Sequence, residues 1–254
     1  DVNGRIKFLL NRSLEIDSSK NSTTTTLNGK KFKAEFDDSS KTIKIADESG
    51  KVAEINIKEK LKPLLDKADN PINKVLNRSA STNLNRQEDI ENMWNFIKVQ
   101  PADLLLNLND NVKIITPVSA GNVSSYNSAT KRLVAEPKTR TVAHEIGHSI
   151  NDKNKLAKNE ELIEIYNKEA DAFEEDFPKE KYEIIEYFLH NGGGRANSGL
   201  EELIAETYAL LTTYCANEYL QGEGNLAKRA LYLVQYFPET IAKIADILGY
   251  NSIE

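Results

Sequence analysis

Cysteine is almost missing from this chain of 254 residues: Cys215 stands alone. A single cysteine excludes intrachain disulfides and any Cys-rich structural zinc site. Its setting, Leu211-Thr-Thr-Tyr-Cys-Ala, reads as helical and partly apolar, which suits a buried inert thiol better than a nucleophile. Long apolar runs are missing too. A membrane span needs roughly 18 consecutive apolar residues, whereas stretches such as Ala102–Leu108 are soon broken by polar side chains. Nor is there an excess of positive charge. Lys and Arg total 33 against 39 Asp and Glu, for a formal charge of -6. The lysines are scattered among acids, as on an ordinary solvated surface, and this argues against a nucleic-acid partner. Asp1 opens the chain without a basic and apolar leader segment, so a removed leader and a longer parent chain are both compatible with it.

What is present is enough apolar material, 39% of residues, for one large domain or two modest ones. Up to about Ile57 the pattern is β-rich. Lys31-Phe-Lys-Ala-Glu-Phe and Thr42-Ile-Lys-Ile-Ala alternate apolar and polar residues, the period of a half-buried strand. Asn28-Gly29 and Ser49-Gly50 supply turn chemistry around them. A small antiparallel meander is expected, with Ser18–Thr26 as a loop. A helical period follows in Ile57, Leu61, Leu64 and Leu65 and ends near Asn70-Pro71, and the polar stretch from Ser79 marks a boundary between a β-rich part, 1–80, and a second part, 81–254.

The second part carries a helix at Gln87–Val99 and short strands at Val112–Thr116 and Lys131–Ala135. After Pro137 the reading is helical: Thr141–Asp152, Glu160–Glu175, Lys179–Phe188, Gly199–Glu218, Asn225–Tyr236 and Pro238–Leu248. No internal repeat is visible. Strands first and helices later point to α+β rather than alternating α/β.

Only three histidines occur, and two stand in His144-Glu145-Ile-Gly-His148. Residues four apart on a helix lie one above the other, so both imidazoles can reach one zinc ion. Glu145, turned by about 100° from His144, can reach a water on that ion and act as general base. Val142, Ala143, Ile146 and Ile150 would bury the helix and hold its ligands rigid. A catalytic zinc wants a third protein ligand and an open position, and His190, an Asp or a Glu remain as sources. In Gly199-Leu-Glu-Glu-Leu-Ile-Ala-Glu, Glu202 and Glu206 project from one helical face. One carboxylate could bind the metal while the other accepts the outer N–H of a ligand histidine. Equally, Glu201, Glu202 and Glu206 could decorate a surface helix near its N-terminus, where the dipole favours acids.

With its acidic follower Asp152, the histidine motif and the later Glu202-Leu-Ile-Ala-Glu206 resemble the catalytic domain of anthrax lethal factor, a gluzincin type of domain shared by the secreted Pro-Pro endopeptidases. Tyr236-Phe-Pro-Glu-Thr-Ile-Ala-Lys resembles that family's C-terminal helix, and Tyr126 with Lys131–Ala135 its strand upstream of the zinc helix. The resemblance spans roughly Gln87 to Leu248. It implies a zincin-like, mainly helical catalytic domain with a small sheet and one Zn2+ held by His144, His148 and Glu202. It further implies Glu145 as catalytic base and Glu206 as support. The activity implied is that of a zinc endopeptidase, secreted or delivered into a host cell as a toxin or effector. Its protein substrate would lie extended along the strand near Leu133. The family's oxyanion-stabilising tyrosine, seven positions before the ligand Glu, is replaced by Arg195; Tyr187, His190 or Arg195 itself could serve instead. The gap from His148 to Glu202 is also longer than in those relatives. A rival expectation is a zinc-binding domain that has lost catalysis and docks a partner.

Overall fold

Strands at Arg12–Asp17 (β1), Ser22–Leu27 (β2), Lys30–Asp37 (β3), Thr42–Asp47 (β4) and Gly50–Asn56 (β5) form an antiparallel meander paired in chain order. The computed structural model describes residues 12–61, 86–118, 124–175, 185–189, 198–213 and 225–250. The turn between β2 and β3 is Asn28-Gly29, with φ of 51° and 75°, and Leu27 faces Lys30 across it. Both turn residues thus have the left-handed backbone that matches strand twist in a two-residue hairpin. Three other strand ends use one device: Asp17, Asp37 and Asp47 each accept the backbone N–H and hydroxyl of the serine two residues on.

The expected strands within 31–36 and 42–46 are present, but Ser18–Thr26 is not a loop. Ser18–Lys20 is a single 3-10 turn and Ser22–Leu27 is an inner strand paired on both sides. Its threonines are β-branched and suit a pleated strand, yet with one aliphatic residue they show no hydrophobic alternation. Thr23 and Thr25 are buried all the same. The Thr25 hydroxyl accepts the backbone N–H of Ala102, 77 residues away, so its burial is compensated by an element that local sequence cannot reveal.

One face of the meander contributes Ala34, Phe36, Ile43, Ile45 and Ile55 to the core. Against it lie the helices Arg86–Ile97 (α2) and Ala102–Asn111 (α3), through Met93, Trp94, Ile97, Leu104 and Leu108. A short helix Ile57–Lys60 (α1) leaves the sheet and stops at Leu61, whose extended backbone bridges to Ile115 instead of continuing the expected helical period; the remainder of that period, and the boundary at Ser79, lie outside the described residues. Polar ties reinforce the seam. Trp94 Nε1 donates to Asp38 Oδ1 at 2.7 Å, and Lys98 reaches the same oxygen at 2.9 Å. Arg12 of β1 donates to the carbonyl of Leu211 at 2.7 Å and pairs with Asp103, whose other oxygen accepts the Tyr250 hydroxyl at 2.6 Å.

Beyond α3, strands Ile114–Pro117 (β6), Ser125–Asn127 (β7) and Arg132–Ala135 (β8) form a second sheet in the order β6-β8-β7. β8 runs parallel to β6 and antiparallel to β7. Helices follow at Thr139–Asn154 (α4), Glu160–Glu175 (α5), Ser198–Thr213 (α6), Asn225–Tyr236 (α7) and Pro238–Ile247 (α8). Of the helix expected at Lys179–Phe188, only the end is described, and Glu186–Phe188 is a 3-10 turn. The chain is α+β with an N-terminal β region, as expected. Among the described residues no helix is long and apolar enough to cross a membrane.

Helix α8 starts at Pro238, whose missing N–H costs nothing at a first helical position. Glu169 of α5 accepts the backbone N–H groups of Glu239 and Thr240 and the Thr240 hydroxyl, capping that end from a neighbouring helix. The Pro and Thr seen in the sequence thus mark the place where α5 holds α8.

Candidate metal centre

Helices α4 and α6 cross in direct contact, and the contact is set by small residues. A Cβ added to Gly147 would lie 2.6 Å from the Cα of Ala205 and 2.8 Å from its carbonyl oxygen, so only glycine lets the two backbones meet there. The crossing point falls between His144 and His148 on one helix and between Glu202 and Glu206 on the other. All four side chains therefore converge.

His144 Nε2 lies 3.1 Å from Glu202 Oε2, and His148 Nε2 lies 3.4 Å from the same oxygen. One ligand atom from each of these three residues falls within 4.8 Å of the others, a group that could hold a metal ion. The imidazoles are edge to face, with centroids 4.9 Å apart. His144 Nδ1 sits 2.9 Å from Glu206 Oε2. Since Glu206 is a carboxylate, the ring donates from Nδ1 and leaves Nε2 turned towards Glu202.

Neither glutamate decorates a surface. Glu202 is 5% and Glu206 1% exposed, and α6 is buried along nearly its whole length. Burial by itself would raise both carboxyls, but both are lowered. Hydrogen bonds from His144 and His148 do this for Glu202; the His144 hydrogen bond and the Arg140 charge bring Glu206 to about 2. For His144 burial favours the neutral ring, but hydrogen bonds to Glu202 and Glu206 outweigh it and hold the ring up to about 9. Without a metal, these shifts make stability depend on pH. A raised His144 adds stability that is whole below its ordinary 6.5 and is lost as pH rises through about 9. A depressed Glu206 adds stability that is whole above its ordinary 4.5 and is lost as pH falls towards about 2. In chelator, this cluster's contribution should therefore peak between about 4.5 and 6.5 and decline on both sides. Urea midpoints measured across pH, on wild type and a His144→Ala variant, will check this; a parallel pair of curves would contradict it.

Glu145 lies 6% exposed beside the two histidines, and burial pushes its carboxyl up against the lowering pull of His144 and His148. It lines a cleft of 630 Å³ together with His144, His148, Glu202, and Ser125 and Tyr126 of β7. A second lobe of 330 Å³ continues past Glu145 towards Arg140 and Arg229. Tyr187, from the 3-10 turn, lines both. Its turn is anchored where the Tyr166 hydroxyl donates to the Phe188 carbonyl at 2.9 Å. Burial, then the charges of Glu202 and Glu145, push the phenol up to about 12, so it keeps its proton.

Of the side chains singled out from the sequence, the fold brings His144, Glu145, His148, Glu202, Glu206 and Tyr187 to one place. Asp152 is on the cleft wall but bound elsewhere, to Lys131 at 2.5 Å and Lys155 at 3.3 Å. His190, Arg195 and Cys215 lie outside the described residues. The strand near Leu133 cannot take an added peptide. β8 is the central strand, paired on both sides, and Leu133 is fully buried; the strand bordering the cleft is β7, which is an edge.

One side chain of the cluster escaped the sequence reading. Arg140 donates from Nε to Glu206 Oε1 and from Nη2 to Glu206 Oε2, both at 3.1 Å. Its position four residues before His144, on the same helical face, was the available signal. No protein-family model, curated protein or solved structure matches the chain.

Proposed function

We propose that the chain is a zinc-dependent endopeptidase, as its resemblance to the lethal factor type of domain implies. The observation that carries this is the convergence of His144, His148 and Glu202 with Glu145 next to them in an open cleft. Two imidazoles and one carboxylate form a donor set suited to zinc. His144 Nε2 and His148 Nε2 lie 3.1 and 3.4 Å from Glu202 Oε2, close enough for the three residues to share one cation. His144, His148 and Glu202 would hold the ion where it faces the cleft they line.

When bound, zinc supplies Lewis acidity and brings the pKa of water close to neutrality. Glu145 takes the proton of the attacking water and later returns it to the leaving amine. Glu206 holds His144 in the tautomer that turns Nε2 inward. Tyr187, protonated and lining both lobes, would donate to the oxyanion that develops on the scissile carbonyl. An extended substrate would add to β7, an edge strand among the described residues, with main-chain hydrogen bonds fixing its register. A secreted protein or a toxin delivered to a host cell, cutting a host protein, is the setting this reading implies.

The test is metal content together with cleavage. Protein purified without added metal should carry about one zinc per chain and cut members of a randomised peptide library at internal bonds. Zinc without any cleavage would favour a partner-docking domain instead. Zinc content near zero, not restored by added zinc, would remove the reading.

A further inference from the structure

A carboxylate that is 1% exposed needs donors for both of its oxygens. Glu206 has them arranged as a chain: Arg140 contributes Nε to Oε1 and Nη2 to Oε2, and His144 contributes Nδ1 to Oε2. The fork–fork pair constrains the plane of the carboxylate as well as its charge. That plane decides where Oε2 points, and Oε2 is the atom that holds the His144 ring. Arg140, His144 and His148 stand on successive turns of α4, so the same helix face that presents the metal-facing nitrogens also presents the clamp. Arg229 of α7 adds positive charge near Glu206, but the pair of hydrogen bonds belongs to Arg140.

We propose that Arg140 is a positioning residue of the metal centre: by fixing Glu206 it orients His144 and so sets the affinity for zinc. This rests on the reading that His144, His148 and Glu202 bind zinc. The working motif is then Arg140-x-x-x-His144-Glu145-x-x-His148 with Glu202 and Glu206, longer by one helical turn than the histidine signature alone. Lysine would keep the charge but not the fork, and it cannot hold both oxygens in one plane.

The measurement is zinc affinity of the full chain by competition with a chromophoric chelator. It is made on wild type, Arg140→Met, Arg140→Lys, Glu206→Ala and the Arg140→Met/Glu206→Ala double variant. Arg140→Met should bind zinc about 10–100-fold more weakly, the usual loss when a partner of a metal ligand is removed. Arg140→Lys should recover part of that loss. With Glu206 already gone, removing Arg140 should cost little more, because the two act in series. An equal loss in both backgrounds would show that Arg140 acts apart from Glu206, and unchanged affinity in Arg140→Lys and Arg140→Met would remove the proposal outright. Should Arg140→Met not fold, the lysine variant decides through nitrogen NMR of His144: a ring held as tightly as in wild type, with unchanged affinity, counts against the clamp. Wild-type protein that takes up no zinc would instead overturn the metal reading, and the proposal with it.

Discussion

Changing Glu145 to Gln should cut kcat/KM by about 10²–10⁴-fold while zinc stays bound, the range expected for loss of a general acid–base group. The substitution keeps size and shape but removes the group that accepts a proton. Glu145 is 6% exposed and lies next to both histidines, yet it is not among the three residues whose ligand atoms converge. The metal content of the variant should therefore equal that of wild type, and only turnover should fall. Steady-state rates on one good peptide, with zinc measured on the same samples, make the comparison. A variant that turns over like wild type would take Glu145 out of the mechanism. A variant that loses its zinc would move Glu145 into the ligand set.

Gly147→Val should remove both stability and metal. Even the first added carbon would sit 2.6 Å from the Cα of Ala205, a backbone atom that cannot swing aside. Overpacking a core costs roughly 1–3 kcal/mol, and a contact with backbone belongs at or above the upper end. Relief requires α4 and α6 to separate. Glu202 reaches His144 and His148 across that crossing at 3.1 and 3.4 Å, so a shift of an ångström carries the carboxylate away from both rings. Zinc affinity should fall at least as much as in the Arg140→Met variant. Urea denaturation and chelator competition will measure the two effects. A valine variant with wild-type midpoint and wild-type affinity would mean that the crossing is looser than this geometry.

The resemblance and the structure locate different parts of the site. Spacing placed His144, Glu145 and His148 together because four residues along a helix is one face, a property of the backbone that needs no partner. The pair Glu202 and Glu206 was legible as a pair for the same reason. What spacing left open was whether those acids faced solvent, and the fold resolves it by burying α6 between other elements. Arg140 was missed because its partner is 66 residues along the chain. β2 was missed because threonine hides a buried strand behind a polar composition, and its burial depends on the Ala102 N–H.

By itself the sequence determined what is local: turns at Asn28-Gly29, the α4 motif, the strands-then-helices order and the absence of a cysteine framework. Tertiary structure alone decided what depends on distance in the chain. It made β8 a central strand and β7 an edge strand among the described residues, joined the N-terminal sheet to α6 through Arg12, and turned Glu206 towards His144 and Arg140. The physical reason is that helix and strand periods are written within a few residues. The fate of a buried charge or an unpaired edge depends on whichever segment packs against it.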